Sequence, residues 1–151
     1  DVVTAKYLFV LFIELMSFIL CALLTIIRMK FLGNAAPYVT NQLMNANAAY
    51  LGYVMIVFAA FNGIFLAGFF KTAYKIGKPF IIFCAASFII IAIGEILHHI
   101  PGLESLNAPS SLSIPQATVL AVGIIVFMLG TWVSYQKAIK DFVPDEQICL
   151  K

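Results

Sequence analysis

The chain has 151 residues, of which 63% are hydrophobic and only 11% charged, with a formal net charge of +2 and a mean hydropathy of +1.03. A water-soluble domain of this length carries roughly a quarter charged residues, so these side chains cannot cover a surface facing water, and lipid must be part of the solvent. That composition excludes a soluble enzyme domain, and nucleic acid is not a plausible partner.

Four apolar runs are long enough to cross a bilayer, from about Tyr7 to Ile27, Ala48 to Phe70, Pro79 to Leu97 and Gln116 to Tyr135. Each is near the ~20 residues that a ~30 Å hydrocarbon core requires at 1.5 Å per residue. The alternation of a barrel strand is absent, so all four are expected to be α-helices, giving an all-α integral membrane domain over residues 1–151. The first connection, Arg28 to Asn47, contains Gly33, Asn34, Pro37, Asn41, Gln42, Asn45 and Asn47 and reads as a polar loop with room for a short interfacial helix. The second is a tight basic link from Lys71 to Lys78, closed by Pro79 in the first turn of the next helix, where a missing N–H costs nothing. The third, Pro101 to Pro115, holds three prolines and five serines or asparagines and reads as an ordered loop.

Charge placement gives an orientation. Lys6, Lys71, Lys75, Lys78, Lys137, Lys140 and Lys151 fall on one side of this arrangement, and only Arg28 and Lys30 on the other. Basic loops are retained in the cytoplasm, so both termini are expected there. Tyr7, Trp132 and Tyr135 sit where amphipathic rings anchor a helix at the headgroup level.

Few residues could carry chemistry. Glu14 lies about two turns inside the first helix, a depth at which an ionisable group costs roughly 2.5–3.5 kcal/mol and is a proton-carrier or cation-contact candidate by default. The plainer reading is a protonated carboxyl, or one paired with a polar side chain of another helix, since no intramembrane Lys or Arg is at hand. Ala59, Gly63 and Ala67 recur every four residues and form a small-residue stripe for close helix approach, with Asn62 beside it for an interhelical hydrogen bond. Glu95, His98 and His99 share a helix face at i,i+3 and i,i+4. They could bind zinc, although three ligands at a helix end fall short of a site, and interfacial polar residues are the plainer reading. Cys21, Cys84 and Cys149 show no metal or redox spacing. No phosphate-cradling loop, nucleophile elbow or H-E-x-x-H motif is present, so the expectation is no catalytic residue and no cofactor held by this chain.

The opening Asp-Val-Val-Thr-Ala-Lys-Tyr-Leu-Phe (Asp1 to Phe9), the passage Phe69-Phe70-Lys71 with Tyr74-Lys75-Ile76-Gly77-Lys78, and the ending Ser134-Tyr135-Gln136-Lys137-Ala138-Ile139-Lys140-Asp141-Phe142 resemble bacterial type-2 ATP-binding-cassette (ABC) permeases in order and spacing. The resemblance covers nearly the whole chain. It implies helices three to six of a six-helix permease in the bacterial cell membrane. It also implies pairing with a second permease copy or paralogue, and with ABC ATPase subunits that bind ATP and Mg. The family's coupling element lies between its second and third helices, so Asp1, Val2, Val3, Thr4 and Lys6 would be its trailing, ATPase-coupling end. The cargo of such exporters is a peptide, a lipid-like compound or a drug. Two other readings stay open: a stand-alone four-helix transporter coupled to protons through Glu14, and an accessory assembly subunit working through the Ala59–Gly63–Ala67 stripe.

Overall fold

The computed structural model describes residues 2–32, 34–40, 43–72, 75–108 and 112–142, the side chains of Tyr38 and Val39 excepted. Helix α1 runs Val2–Phe31 and a short α2 Ala36–Val39; the second long helix comprises α3 (Ala48–Ala60), a π-helical segment (Phe61–Leu66) and α4 (Ala67–Lys71); α5 is Gly77–Leu97 and α6 Ile114–Asp141. A single 3₁₀ turn, Glu104–Asn107, sits between α5 and α6, and no strand occurs among the described residues. Four helices are long and apolar enough to cross a membrane: Val2–Phe31, Ala48–Lys71, Gly77–Leu97 and Ile114–Asp141.

Local sequence sets the ends. Asn47 caps α3 by accepting from the Tyr50 N–H at 3.2 Å, and Ser113 caps α6 by accepting from Gln116 N–H at 3.4 Å, which satisfies N–H groups that have no partner within a helix. The Ser113 cap and Pro115 start α6 at Ile114, before the apolar run begins at Gln116. α4 stops where Thr72 turns back, its single hydroxyl proton shared between Gly68 O and Lys75 O, both 2.9 Å away. Helices α1 and α6 are 30 and 28 residues long and extend past their apolar runs, the start of α1 packing on the end of α6.

The hydrophobic pattern is the inverse of a soluble protein's. Phe9, Phe12, Phe88, Ile89, Met128 and Leu129 are exposed, while Glu14, Asn47, Asn62 and Gln116 are buried. This is what a lipid solvent selects: apolar side chains face outward at no cost, and polar ones must find each other inside.

The second long helix is the centre of the bundle, touching α1, α5 and α6. Its tightest contact is with α6, where Gly52 meets Gly123 backbone to backbone. A Cβ built on Gly123 would stand 2.3 Å from Gly52 O, and one on Gly52 2.5 Å from Val119 O. The expected Ala59–Gly63–Ala67 stripe divides differently. Ala59 and Ala67 are buried, Ala59 facing Gly130, but Gly63 is exposed, and a Cβ on it would meet nothing within 4 Å. The every-four spacing assumes 3.6 residues per turn, and the π-helical segment Phe61–Leu66 widens the turn there, so Gly63 rotates off the packed face.

At the end away from the start of α1, two connections lock together. Arg28 donates to Ala46 O at 2.8 Å and to Asn45 Oδ1. Asn45 N–H donates to Asn107 Oδ1 at 2.6 Å. Asn47 donates to Leu106 O at 2.7 Å, and Gln116 to Ser105 O at 2.9 Å. These side chains satisfy loop carbonyls that would otherwise face the bilayer edge unpaired.

Gly123→Ala is expected to destabilise the bundle by about 1–3 kcal/mol, because a backbone atom must move to admit the methyl group. Gly63→Ala is expected to be neutral or slightly stabilising, by up to about 1 kcal/mol. Unfolding midpoints of the purified protein in detergent check both.

Candidate functional site

The buried polar groups in the middle of the bundle converge on Asn62, in the π-helical segment. Its Nδ2 donates to Glu14 Oε2 of α1 and to Thr131 Oγ1 of α6, both at 3.0 Å. Its main-chain carbonyl accepts from Ala67 N–H, the five-residue bond of a π turn, and also from the Ser134 hydroxyl of α6. Since Ser134 spends its one proton on that carbonyl, it must accept from Tyr7 O–H at 2.6 Å. A continuous chain thus runs from Tyr7 through Ser134 to Asn62, and one residue fastens three helices.

Glu14 is 5% exposed. Its Oε1, like Asn62 Oδ1, is buried without a hydrogen bond among the described residues. Glu14 forms part of the wall of two apolar cavities of about 280 and 230 Å³ between α1 and its neighbours. Of the readings open from sequence, the structure supplies the polar partner on another helix, Asn62, that would hold the carboxyl in place.

The N-terminal stretch is built into the same end of the bundle as the C-terminal part of α6. Val3 and Tyr7 are buried with Leu66, Phe70 and Ala138 in one cluster. Thr4 Oγ1 lies 3.0 Å from Tyr135 OH. Lys6 Nζ sits 4.7 Å from the centroid of Phe69 and 5.7 Å from that of Phe70, cation–π distances that let its charge reach the bundle edge. Val2 is exposed, and Asp1 lies outside the described residues. Tyr7 is not the lipid-facing anchor that its position suggests: at 2% exposed it is core, stacked on Phe70 and edge-on to Tyr135. Trp132, by contrast, remains exposed.

Glu95, His98 and His99 lie at the opposite end. Glu95 Oε1 is 3.8 Å from His98 Nε2 and 3.9 Å from His99 Nε2, and its other oxygen accepts from Met44 N–H at 3.0 Å. They are remote in sequence from Asn62, and Met44, next to Asn45, joins them to the loop network at that end.

Sequence reasoning missed Ser134 and Thr131 as partners of Asn62, and Gly52 with Gly123 as the close approach. The first pair had a signal: hydroxyl residues three apart on a spanning helix share a face, and intramembrane hydroxyls bond across helices.

An open apolar groove of about 460 Å³ runs between α1 and α6, with Leu11, Phe127 and Met128 along it and Thr4, Tyr7 and Tyr135 towards one end. Four spanning helices around a buried polar junction, flanked by such a groove, define a multi-pass membrane protein. Residues 1–142 match the family model described as ABC-2 family transporter protein, and the chain belongs to that family. It is accordingly a membrane transport component, a permease subunit of an ABC transporter. Comparison with curated proteins and with solved structures gave no match.

Asn62→Ala removes the donor shared by Glu14 and Thr131 and is expected to cost about 1–3 kcal/mol. Replacing both Glu14 and Asn62 by Leu removes the polar groups together and should cost less than Asn62→Ala alone. Detergent unfolding midpoints of the two variants measure the difference.

Proposed function

We propose that this permease subunit is the membrane-spanning part of an ATP-driven exporter in a bacterial cell membrane, with both termini in the cytoplasm. It works with ABC ATPase subunits, which bind ATP and Mg, and with a second permease copy or paralogue. The observation that carries the reading is the seating of Val3, Thr4, Lys6 and Tyr7 against the ends of α4 and α6. A push delivered at the start of α1 cannot bend that turn alone; it is passed to three helices as a rigid-body displacement.

Charge supports the orientation. Lys6, Lys71, Lys75, Lys78, Lys137 and Lys140 belong to the end where the start of α1 meets the end of α6, and Arg28 and Lys30 to the other, the bias expected when the lysine-bearing end is cytoplasmic. The groove between α1 and α6, apolar along its length with hydroxyls at one end, suits a cargo that is itself amphiphilic, such as a hydrophobic peptide, a lipid-like compound or a drug. In such a scheme Glu14 is structural, holding α1 to Asn62.

Co-purification of the full-length protein with an ABC ATPase, and ATP-dependent movement of an amphiphilic dye in proteoliposomes, are the expected results. Absence of any ATPase association overturns the reading. Thr4→Val combined with Lys6→Gln should keep the ATPase bound yet lower transport per ATP by roughly fivefold or more, as the loss of a hydrogen bond and a cation–π contact implies. Glu14→Gln should retain transport; its abolition, with folding intact, would favour proton coupling through Glu14 instead.

A further inference from the structure

We propose that Glu95, His98 and His99 form a binding site for a divalent cation of the zinc class at the end of the bundle opposite the start of α1. The inference goes beyond the transport reading and does not depend on it.

The helix end makes the site. α5 finishes at Leu97, and His98 continues with φ −77° and ψ −10°, a turn closed by His99 N–H donating to Ile96 O at 3.1 Å. Two consecutive imidazoles are thereby brought together, with ring centroids 4.1 Å apart, on the side where Glu95 lies one turn earlier. One ligand atom from each of the three residues lies within 4.8 Å of the others.

The carboxylate is held ready. Met44 N–H fixes Glu95 Oε2 at 3.0 Å, the kind of orienting bond that metal-binding carboxylates receive. Its Oε1 is buried and has no hydrogen bond among the described residues. That oxygen faces Nε2 of both histidines at 3.8 and 3.9 Å, too far for hydrogen bonds. Around a tetrahedral ion with ligand bonds near 2.0–2.2 Å, neighbouring ligand atoms stand about 3.3 Å apart. The two Glu95–histidine distances therefore need to shorten by roughly half an ångström, and a pair at the 4.8 Å limit by about 1.5 Å. Side-chain torsions can supply these shifts, which satisfy the ion and the orphaned oxygen together. Two imidazoles with one carboxylate suit zinc and its first-row neighbours, whereas magnesium and calcium prefer oxygen alone. His98 is buried and His99 is 58% exposed, so the ion enters from the His99 side, where water completes the fourth position. Because Glu95 also holds Met44, a bound ion tightens the attachment of the 43–47 segment to the end of α5.

The test uses the tag-free, metal-stripped full chain in detergent, titrated with Zn²⁺ by calorimetry and with Co²⁺ by visible absorption. One Zn²⁺ per chain and an intense, tetrahedral-type Co²⁺ spectrum are expected, with no heat from Mg²⁺. Glu95→Gln and His98→Ala should weaken Zn²⁺ binding roughly tenfold or more. His99→Ala decides the matter independently of folding, since that side chain is exposed. Weakened Zn²⁺ binding and a changed Co²⁺ spectrum in that variant support the site. Unchanged affinity there, or a pale Co²⁺ spectrum like that of the aqueous ion in the unaltered chain, overturns it.

Discussion

Asn62 is the joint on which this bundle depends. In hydrocarbon no water can rescue an unpaired polar group, so a side chain with two donors and a carbonyl with spare lone pairs draws to itself whatever polar atoms neighbouring helices offer. Here it draws Glu14 from α1 and Thr131 and Ser134 from α6. Those contacts fix the register of both helices against the central one. Apolar packing alone would leave that register loose, because lipid tails solvate Leu and Phe as well as a neighbouring helix does.

Around this joint the helices differ in their duties. The central helix and α6 approach to backbone contact at Gly52 and Gly123 and form the rigid pair. α5 lies further out, with Phe80, Ile81, Phe88 and Ile89 exposed, and reaches the centre through aromatic edges such as Phe83 on Phe61 and Phe80 on Phe65. Membership of the ABC-2 family gives this asymmetry a context, since a transporter needs one part of its wall to stay fixed while another yields.

The number, order and nature of the helices were legible because they follow from composition and run length, which the bilayer thickness constrains directly. The family too was legible, in the boundary phrases around Lys6-Tyr7 and Tyr135-Gln136-Lys137. Which residues meet was harder to read. Asn62 and Glu14 each stood out as polar intruders, yet pairing them required the relative height of two helices, which no local pattern encodes. The Gly63 expectation failed for a definite reason: small-residue spacing presumes a regular helix, and Phe61-Asn62-Gly63-Ile64-Phe65-Leu66 carries no proline or other mark announcing a wider turn. Tyr7 misled in the same way, since a ring at a helix boundary can serve lipid or core, and only the presence of Ser134 opposite decides.

The wide turn at Phe61–Leu66 has a consequence for how this segment can change over generations. A π turn holds one residue more than the α-helical turn it replaces, so the unit of variation here is chain length rather than side-chain identity. Rewinding the stretch as α-helix with every residue kept would swing everything beyond it, Ala67 to Lys71 included, by about 100° around the helix axis. Removing one residue would instead restore the ordinary winding and leave that face where it is. In the first case Phe70 would leave Tyr7 and Val3 while α3 stayed where it is; in the second it would keep them. Point replacements along this stretch adjust contacts one at a time; the wide turn lets a single codon be lost without re-aiming the lysine-bearing end.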